Sequence, residues 1–271
     1  IVFINAGGVI RGNLVKDIGF GEPRLLIDEI GEPVYQGDAV VVVNFGTIPR
    51  TITIAENRIV NYNNNGILVD AEADFSDPGI ANLTVHVIDN TVIGAGPNDI
   101  IDQWGIFIGG FGFSEPQFSV TGTVRGNRVR DQITAGQYPL PGVGIVTFNP
   151  YNLEINNNVI ENTNIGVAAS QAFGAQIKQN QFVGPGQSVF GATGLLLSGS
   201  DTRVFENRFR KLETGILLLV EDPALGSAVN TALDDNRSDN VAVDVMTGPG
   251  AQVASAAAAN VMPMWRKIPR R

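Results

Sequence analysis

Ile155-Asn156-Asn157-Asn158-Val159-Ile160 and Ile177-Lys178-Gln179-Asn180-Gln181-Phe182 share one pattern: an apolar residue, two of any kind, Asn, one of any kind, then an apolar or small residue. The pattern is also met at Ile10/Asn13/Val15, Ile54/Asn57/Ile59, Val87/Asn90/Val92, Val124/Asn127/Val129 and Val204/Asn207/Phe209. An eighth copy, Leu233/Asn236/Ser238, loses its last apolar position. Internal repeats of this length mean a solenoid, in which each unit buries its core only by stacking on its neighbours.

Each Asn motif is followed, after a variable gap, by Gly and a short aliphatic run, as in Gly66-Ile67-Leu68-Val69, Gly144-Ile145-Val146 and Gly194-Leu195-Leu196-Leu197. The shortest repeat, from Asn158 to Asn180, is 22 residues, enough for three short strands and three turns. Longer gaps read as loops that leave the same turns. Alternation along a strand sends the residues three before and two after each Asn inward, with the Asn at a bend. Stacked about 4.8 Å apart, Asn13, Asn57, Asn90, Asn127, Asn158, Asn180, Asn207 and Asn236 then bond amide to amide along the axis.

Composition agrees with an all-β chain. Of 271 residues 32 are Gly and only 17% are charged, while 44% are hydrophobic, so there is material for a core and little for helical surfaces. The net charge is -9, and Arg266, Lys267, Arg270 and Arg271 are crowded at the C-terminus. The rest of the chain holds 14 basic residues against 27 acidic. A body so acidic repels phosphate backbones and excludes nucleic acid as the expected partner. Cysteine is absent, which removes disulfide and thiolate chemistry. No apolar run reaches the roughly 18 residues of a membrane-spanning helix. The chain opens at Ile1 inside a strand-like segment, and the expectation is a removed leader or missing upstream sequence.

Together the Asn motif and the Gly-aliphatic strand, over about residues 8 to 245, resemble the right-handed parallel β-helix superfamily, the pectate-lyase-like solenoids. The resemblance implies about eight coils with an internal Asn ladder over residues 1–250; from Ala251 the Asn pattern stops and an Ala-rich stretch follows, which suggests a short helix or an extended cap, so 251–271 is expected to be a C-terminal cap or tail. In family terms the segment ahead of each Asn is the second strand, the segment after it the third, and the Gly-aliphatic run the first. The superfamily includes polysaccharide lyases, glycoside hydrolases, spikes, adhesins and non-catalytic scaffolds, so fold alone names no function. It also implies a secreted, periplasmic or cell-surface location.

In the enzymes of that superfamily the outer face of the first strand carries the catalytic acids and bases. Here parity sets Leu68, Phe107, Val146, Ala168, Leu196 and Leu217 on that face. An aliphatic stripe lacks the paired carboxylates of glycoside hydrolysis. Such a stripe is normally covered: by insertion loops or the tail, by another copy in a homo-oligomer, or by an apolar ligand.

The candidate ligand-binding residues lie on the insertions. Asp99, Asp102, Trp104, Asp131 and Tyr138 leave one turn, and Glu115 and Tyr151 belong to the neighbouring one. Aromatic rings and carboxylates on loops suit a polysaccharide or other glycan, although the rings serve equally to close the stripe. Asp70, Glu72 and Asp74 alternate on one side of an extended segment, a spacing that suits Ca²⁺, with a solvated acidic loop as the plainer reading. No other cofactor is implied. An outward Arg column (Arg58, Arg128, Arg208, Arg237) suits an anionic sugar, or exposed ion pairs with Glu56, Glu206 and Asp235. His86, the only histidine, is placed on the polar second-strand face. The expected function is therefore a non-catalytic structural or carbohydrate-binding module. The alternatives are a polysaccharide lyase or glycoside hydrolase on an acidic polysaccharide, and an oligomeric spike or adhesin subunit.

Overall fold

The computed structural model describes residues 1–19, 26–27, 33–34, 37–45, 48–72, 83–97, 103–111, 120–134, 141–185, 191–199, 201–219, 231–248, 251, 253–256 and 261–263. Every described element is a strand. All strand pairs are parallel except the small hairpin of Leu26–Ile27 with Pro33–Val34. Two long sheets stack the chain in a solenoid-like architecture. Parallel sheets covered on both sides demand β-branched and aliphatic residues, and the Ile- and Val-rich segments of the sequence meet that demand.

The second-strand sheet runs from Gly8–Arg11 through Arg50–Ala55, Leu83–Ile88 and Val120–Arg125 to Glu154–Asn156, Gln176–Lys178, Arg203–Phe205, Thr231–Asp234 and Val253–Ala256. The first apolar residue of each sequence motif falls in one register row, in which Ile54, Val87, Val124 and Ile177 are adjacent or nearly so and fully buried. The third strands place Ile59, Val92, Val129, Ile160, Phe182 and Phe209 in a second buried row. The rings of Phe182 and Phe209 stack at 5.1 Å. In the first strands Ile67, Ile106, Ile145, Val167 and Leu195 form the third core row. First and third strands belong to one sheet because Arg208–Leu218 and Arg237–Thr247 each run through both positions without a break. The Ala-rich stretch is extended at 253–256, and 253–256 and 261–263 carry the parallel pairing past residue 250.

The bend between second and third strands has one construction throughout. The residue before each motif Asn has a positive φ: Gly12, Glu56, Asp89, Gly126, Asn157, Gln179, Glu206 and Asp235, all between 47 and 70°. That kink turns the chain and removes two backbone groups from the sheet pairing. The Asn side chain replaces the lost partners. Both the backbone N–H and the Nδ2 of Asn127 donate to Asn158 Oδ1, at 2.9 and 3.0 Å. Asn127 Nδ2 also reaches the carbonyl of Val87 at 2.9 Å. The same three bonds recur for Asn57, Asn90, Asn158, Asn180 and Asn207 toward the following Asn and the preceding layer. Asn supplies one acceptor and two donors on a short stem; Asp lacks the donors.

A second bend lies four residues after the motif Asn, where Asp17, Asn61, Asp131, Asn162, Lys211 and Asn240 have φ between 54 and 69°. A left-handed conformation costs an L-residue about 1–2 kcal/mol, and only Lys211 in this column has neither a short amide or carboxylate to ease it nor a bond from its side chain among the described residues. Lys211→Gly is therefore expected to raise stability by about 0.5–1 kcal/mol, after the extra chain entropy of glycine is subtracted. A urea midpoint that falls instead would rule out strain at this bend.

Candidate functional site

The first-strand face carries a continuous apolar row. Val41, Leu68, Phe107, Val146, Ala168, Leu196, Leu217 and Met246 are successive register partners. Phe107 is buried and the others are half-buried. Two residues further along, Asp70 lies between Val43 and Gly109, and Gly109 is followed by Phe148 and Ser170. Gly109 leaves space that the Phe107 ring uses: a Cβ there would be 2.5 Å from Phe107 Cε1. Trp104 stacks on the same ring, with centroids 5.5 Å apart and planes 14° from parallel. The aromatic pair thus lies across the apolar row.

Of the insertion residues, Asp99, Asp102, Glu115 and Tyr138 lie outside the described residues, as does Asp74. Glu72 ends a first strand, and Asp70 in that strand is buried. Among the described residues no group of three or more His, Cys, Asp and Glu side chains converges on a metal-sized site. Tyr151 is exposed and joins Phe173 by a short parallel bridge. Asp131 occupies the second bend, where it accepts a hydrogen bond from Asn162 Nδ2 at 2.6 Å and faces Arg130 at 3.1 Å. Trp104 and Asp131 are therefore each engaged with a neighbour of their own. His86 stands in the polar second-strand row between Thr53 and Thr123.

Behind Asp131 is a buried polar network that the sequence reading missed. Gln132 Nε2 donates to the Tyr62 hydroxyl at 2.8 Å, and Gln103 donates to the Tyr62 carbonyl while its Oε1 accepts from the Ala95 N–H at 3.0 Å. Burial raises the Tyr62 hydroxyl well above the usual tyrosine range, against a smaller opposing effect of the Gln132 bond. It stays neutral and serves to close the turn. Gln103 and Gln132 each sit beside a long insertion, but periodicity does not distinguish a buried Gln from an exposed one.

The Arg column divides. Arg128 pairs with Glu161 at 2.9 Å, and beside the column Arg210, two residues past Arg208, pairs with Asp239 at 3.5 Å. The expected pairing of Glu56, Glu206 and Asp235 with that column is not what is found. Glu56 pairs with Arg11 of the second-strand sheet, and Glu206 accepts from Gln179 Nε2 at 2.7 Å. Among the described residues Arg208 and Arg237 have no carboxylate partner. They are direct register neighbours, after Gln181 in the same row. With Asn157, Gln179, Glu206 and Asp235 of the bend column they line an open polar groove of about 530 Å³. Like charges directly opposite on adjacent strands repel, and an anion between the two guanidiniums would relieve that, in a groove whose lining also carries the carboxylates of Glu206 and Asp235. The bend column was hidden because Gln179 and Glu206 are not residue types that announce a left-handed turn.

No helix among the described residues is long and apolar enough to cross a membrane. No protein-family model matches the chain, and no curated protein matches it.

Proposed function

We propose that this chain is a right-handed parallel β-helix of about eight coils with an internal asparagine ladder, acting outside the cytoplasm as a non-catalytic structural module that holds a glycan. Arg208 and Arg237 of the polar groove, which have no carboxylate partner among the described residues, carry the reading. Strands repeat at about 4.8 Å, close to the spacing of successive sugars in an extended polysaccharide, and a guanidinium binds a carboxylate or sulfate through two parallel N–H donors. Support for the non-catalytic part is the apolar row on the face where a lyase or glycoside hydrolase would set its acids and bases.

Binding of acidic polysaccharides such as polygalacturonate is expected by affinity electrophoresis, with Arg208→Gln/Arg237→Gln weakening it about 10-fold or more, in line with the loss of charge-assisted bonds. Equal retardation of the parent and the double variant would remove the groove from consideration. Release of reducing or unsaturated ends from the same polysaccharides would overturn the non-catalytic reading. The unbroken apolar row favours a second reading, a spike or adhesin joined through that face; a monomeric mass by light scattering at high concentration speaks against it.

A further inference from the structure

The groove that holds Arg208 and Arg237 is lined by two guanidiniums and two carboxylates, those of Glu206 and Asp235, all on exposed residues. The two signs are sorted by position. Every charged residue that precedes a motif Asn is an acid, and every charged residue that opens a third strand is Arg. In the layers of Asn207 and Asn236 the register sets Arg208 directly beside Arg237. The Glu206 N–H donates to the Asp234 carbonyl at 3.1 Å, which keeps Glu206 and Asp235 one layer apart. Like charges so placed repel within each row. The rows do not neutralise each other, since neither guanidinium has a nitrogen within 4.0 Å of a carboxylate oxygen among the described residues. Glu206 accepts one bond, from Gln179 Nε2 at 2.7 Å, and the Asp235 carboxylate accepts none among the described residues.

We infer that the glycan held in this groove is zwitterionic, with a carboxylate that meets Arg208 and Arg237 and a primary ammonium that meets Glu206 and Asp235. The inference rests on the reading of the groove as a glycan site and names the class of glycan. A purely anionic chain gains the guanidiniums but sets its own charges beside two more carboxylates, and a polycation meets the reverse. A chain in which a uronate alternates with an amino sugar whose amine is free has one charge of each sign per disaccharide. Its two sugars span two layers at about 4.8 Å each, so one carboxylate bridges the Arg pair and one ammonium bridges the acid pair, each through charge-assisted bonds. An N-acetylated amino sugar supplies no cation. Asn157, Gln179 and Gln181 continue the groove without charge, as amides suited to neighbouring hydroxyls. An extended peptide with Lys and Glu repeats each edge about every 6.7 Å and runs out of step with the layers.

The probes are hyaluronan, in which a uronate alternates with an N-acetylated amino sugar, and the same polymer after N-deacetylation, at matched chain length. Affinity electrophoresis at mildly acidic pH keeps the amine an ammonium and the uronate ionised. The full chain is expected to bind the N-deacetylated form about 10-fold or more tightly than hyaluronan. Glu206→Gln/Asp235→Asn should lose that preference and bind polygalacturonate more tightly than the parent, whereas Arg208→Gln/Arg237→Gln should weaken binding of both forms. Gln179 and Asn157 already occupy the same bend conformation as Glu206 and Asp235, so the first double variant should melt with the parent. Equal binding of the two forms by the parent, or a preference that survives in Glu206→Gln/Asp235→Asn, overturns the inference and leaves the groove as a site for anionic glycans. If neither form binds and polygalacturonate does not bind either, the glycan reading is removed and the inference with it.

Discussion

Asn158→Leu is expected to lower the stability of this protein by about 4 kcal/mol, with an unchanged dependence on urea concentration. Asn158 is fully buried. Its Oδ1 accepts from the backbone N–H and the Nδ2 of Asn127, and its Nδ2 donates to Asn180 Oδ1 at 3.0 Å and to the Val124 carbonyl at 2.9 Å. Leucine has the same number of side-chain heavy atoms and the same branching but a larger volume, so the cost is not a cavity. Two groups are left without partners, the N–H of Asn127 and the carbonyl of Val124, and each unmatched buried group costs about 1–3 kcal/mol. The neighbouring side chains lose less, since Asn127 Nδ2 keeps the Val87 carbonyl and Asn180 Oδ1 keeps the N–H of residue 158. Asn13→Leu is the internal comparison. Its Oδ1 accepts from nothing among the described residues, so less than about 1 kcal/mol should be lost there. Urea unfolding of the two variants side by side decides the matter, and equal losses would mean that stacked amides do not set the cost. Asn158→Asp keeps the acceptor but removes both donations in a fully buried site, so it should be no better than leucine at neutral pH.

The core rows were legible in the sequence because strands repeat every two residues and parallel layers repeat in register. Ile155 and Ile160 are buried for the same reason that Ile177 and Phe182 are. The bends were less legible. Gly12, Asn157 and Asp235 are ordinary residues for a left-handed turn, but Glu56, Gln179 and Glu206 occupy the same conformation, held by pairing on both sides of the bend rather than by local preference. Asp131 shows how this misleads a search for chemistry. Read alone it is an acid on a long insertion; read in register it repeats the turn position of Asp17, Asn61 and Asn162, and its carboxylate accepts from the next layer's Asn as Asp17 accepts from Asn61 at 2.8 Å. Arg208 and Arg237 were visible as part of a column, whereas their separation from Glu206 depends on a bond from Gln179. Side-chain competition of that kind leaves no periodic trace.

Gly166→Ala, a change of one methyl group, is expected to cost about 3 kcal/mol or more. The glycine just inside each first-strand segment carries no unusual φ at Gly66, Gly105, Gly144, Gly166, Gly194 or Gly215, so conformational freedom does not explain the repeat. Close approach does. A Cβ at Gly166 would lie 2.5 Å from Phe182 Cδ1 and 2.5 Å from the Gly194 carbonyl oxygen, against the 3.5–4 Å of ordinary contact. The inner side chain of the third strand packs on five of these six glycines, as Val92 over Gly66, Ile160 over Gly144 and Phe209 over Gly194, whereas Gly215 faces the backbone of Asp244. Inserting a methylene into a packed core costs about 1–3 kcal/mol when side chains adjust, and here half of the clash is with backbone that is paired on both sides. Phe182→Leu in the Gly166→Ala background should recover only the portion due to the ring. Gly12→Ala separates the two causes, since Gly12 has φ 70° with nothing within 4 Å of an added Cβ; it should cost only about 1 kcal/mol, from conformation alone. If thermal unfolding finds Gly166→Ala no worse than Gly12→Ala, close packing is not what fixes glycine at these positions.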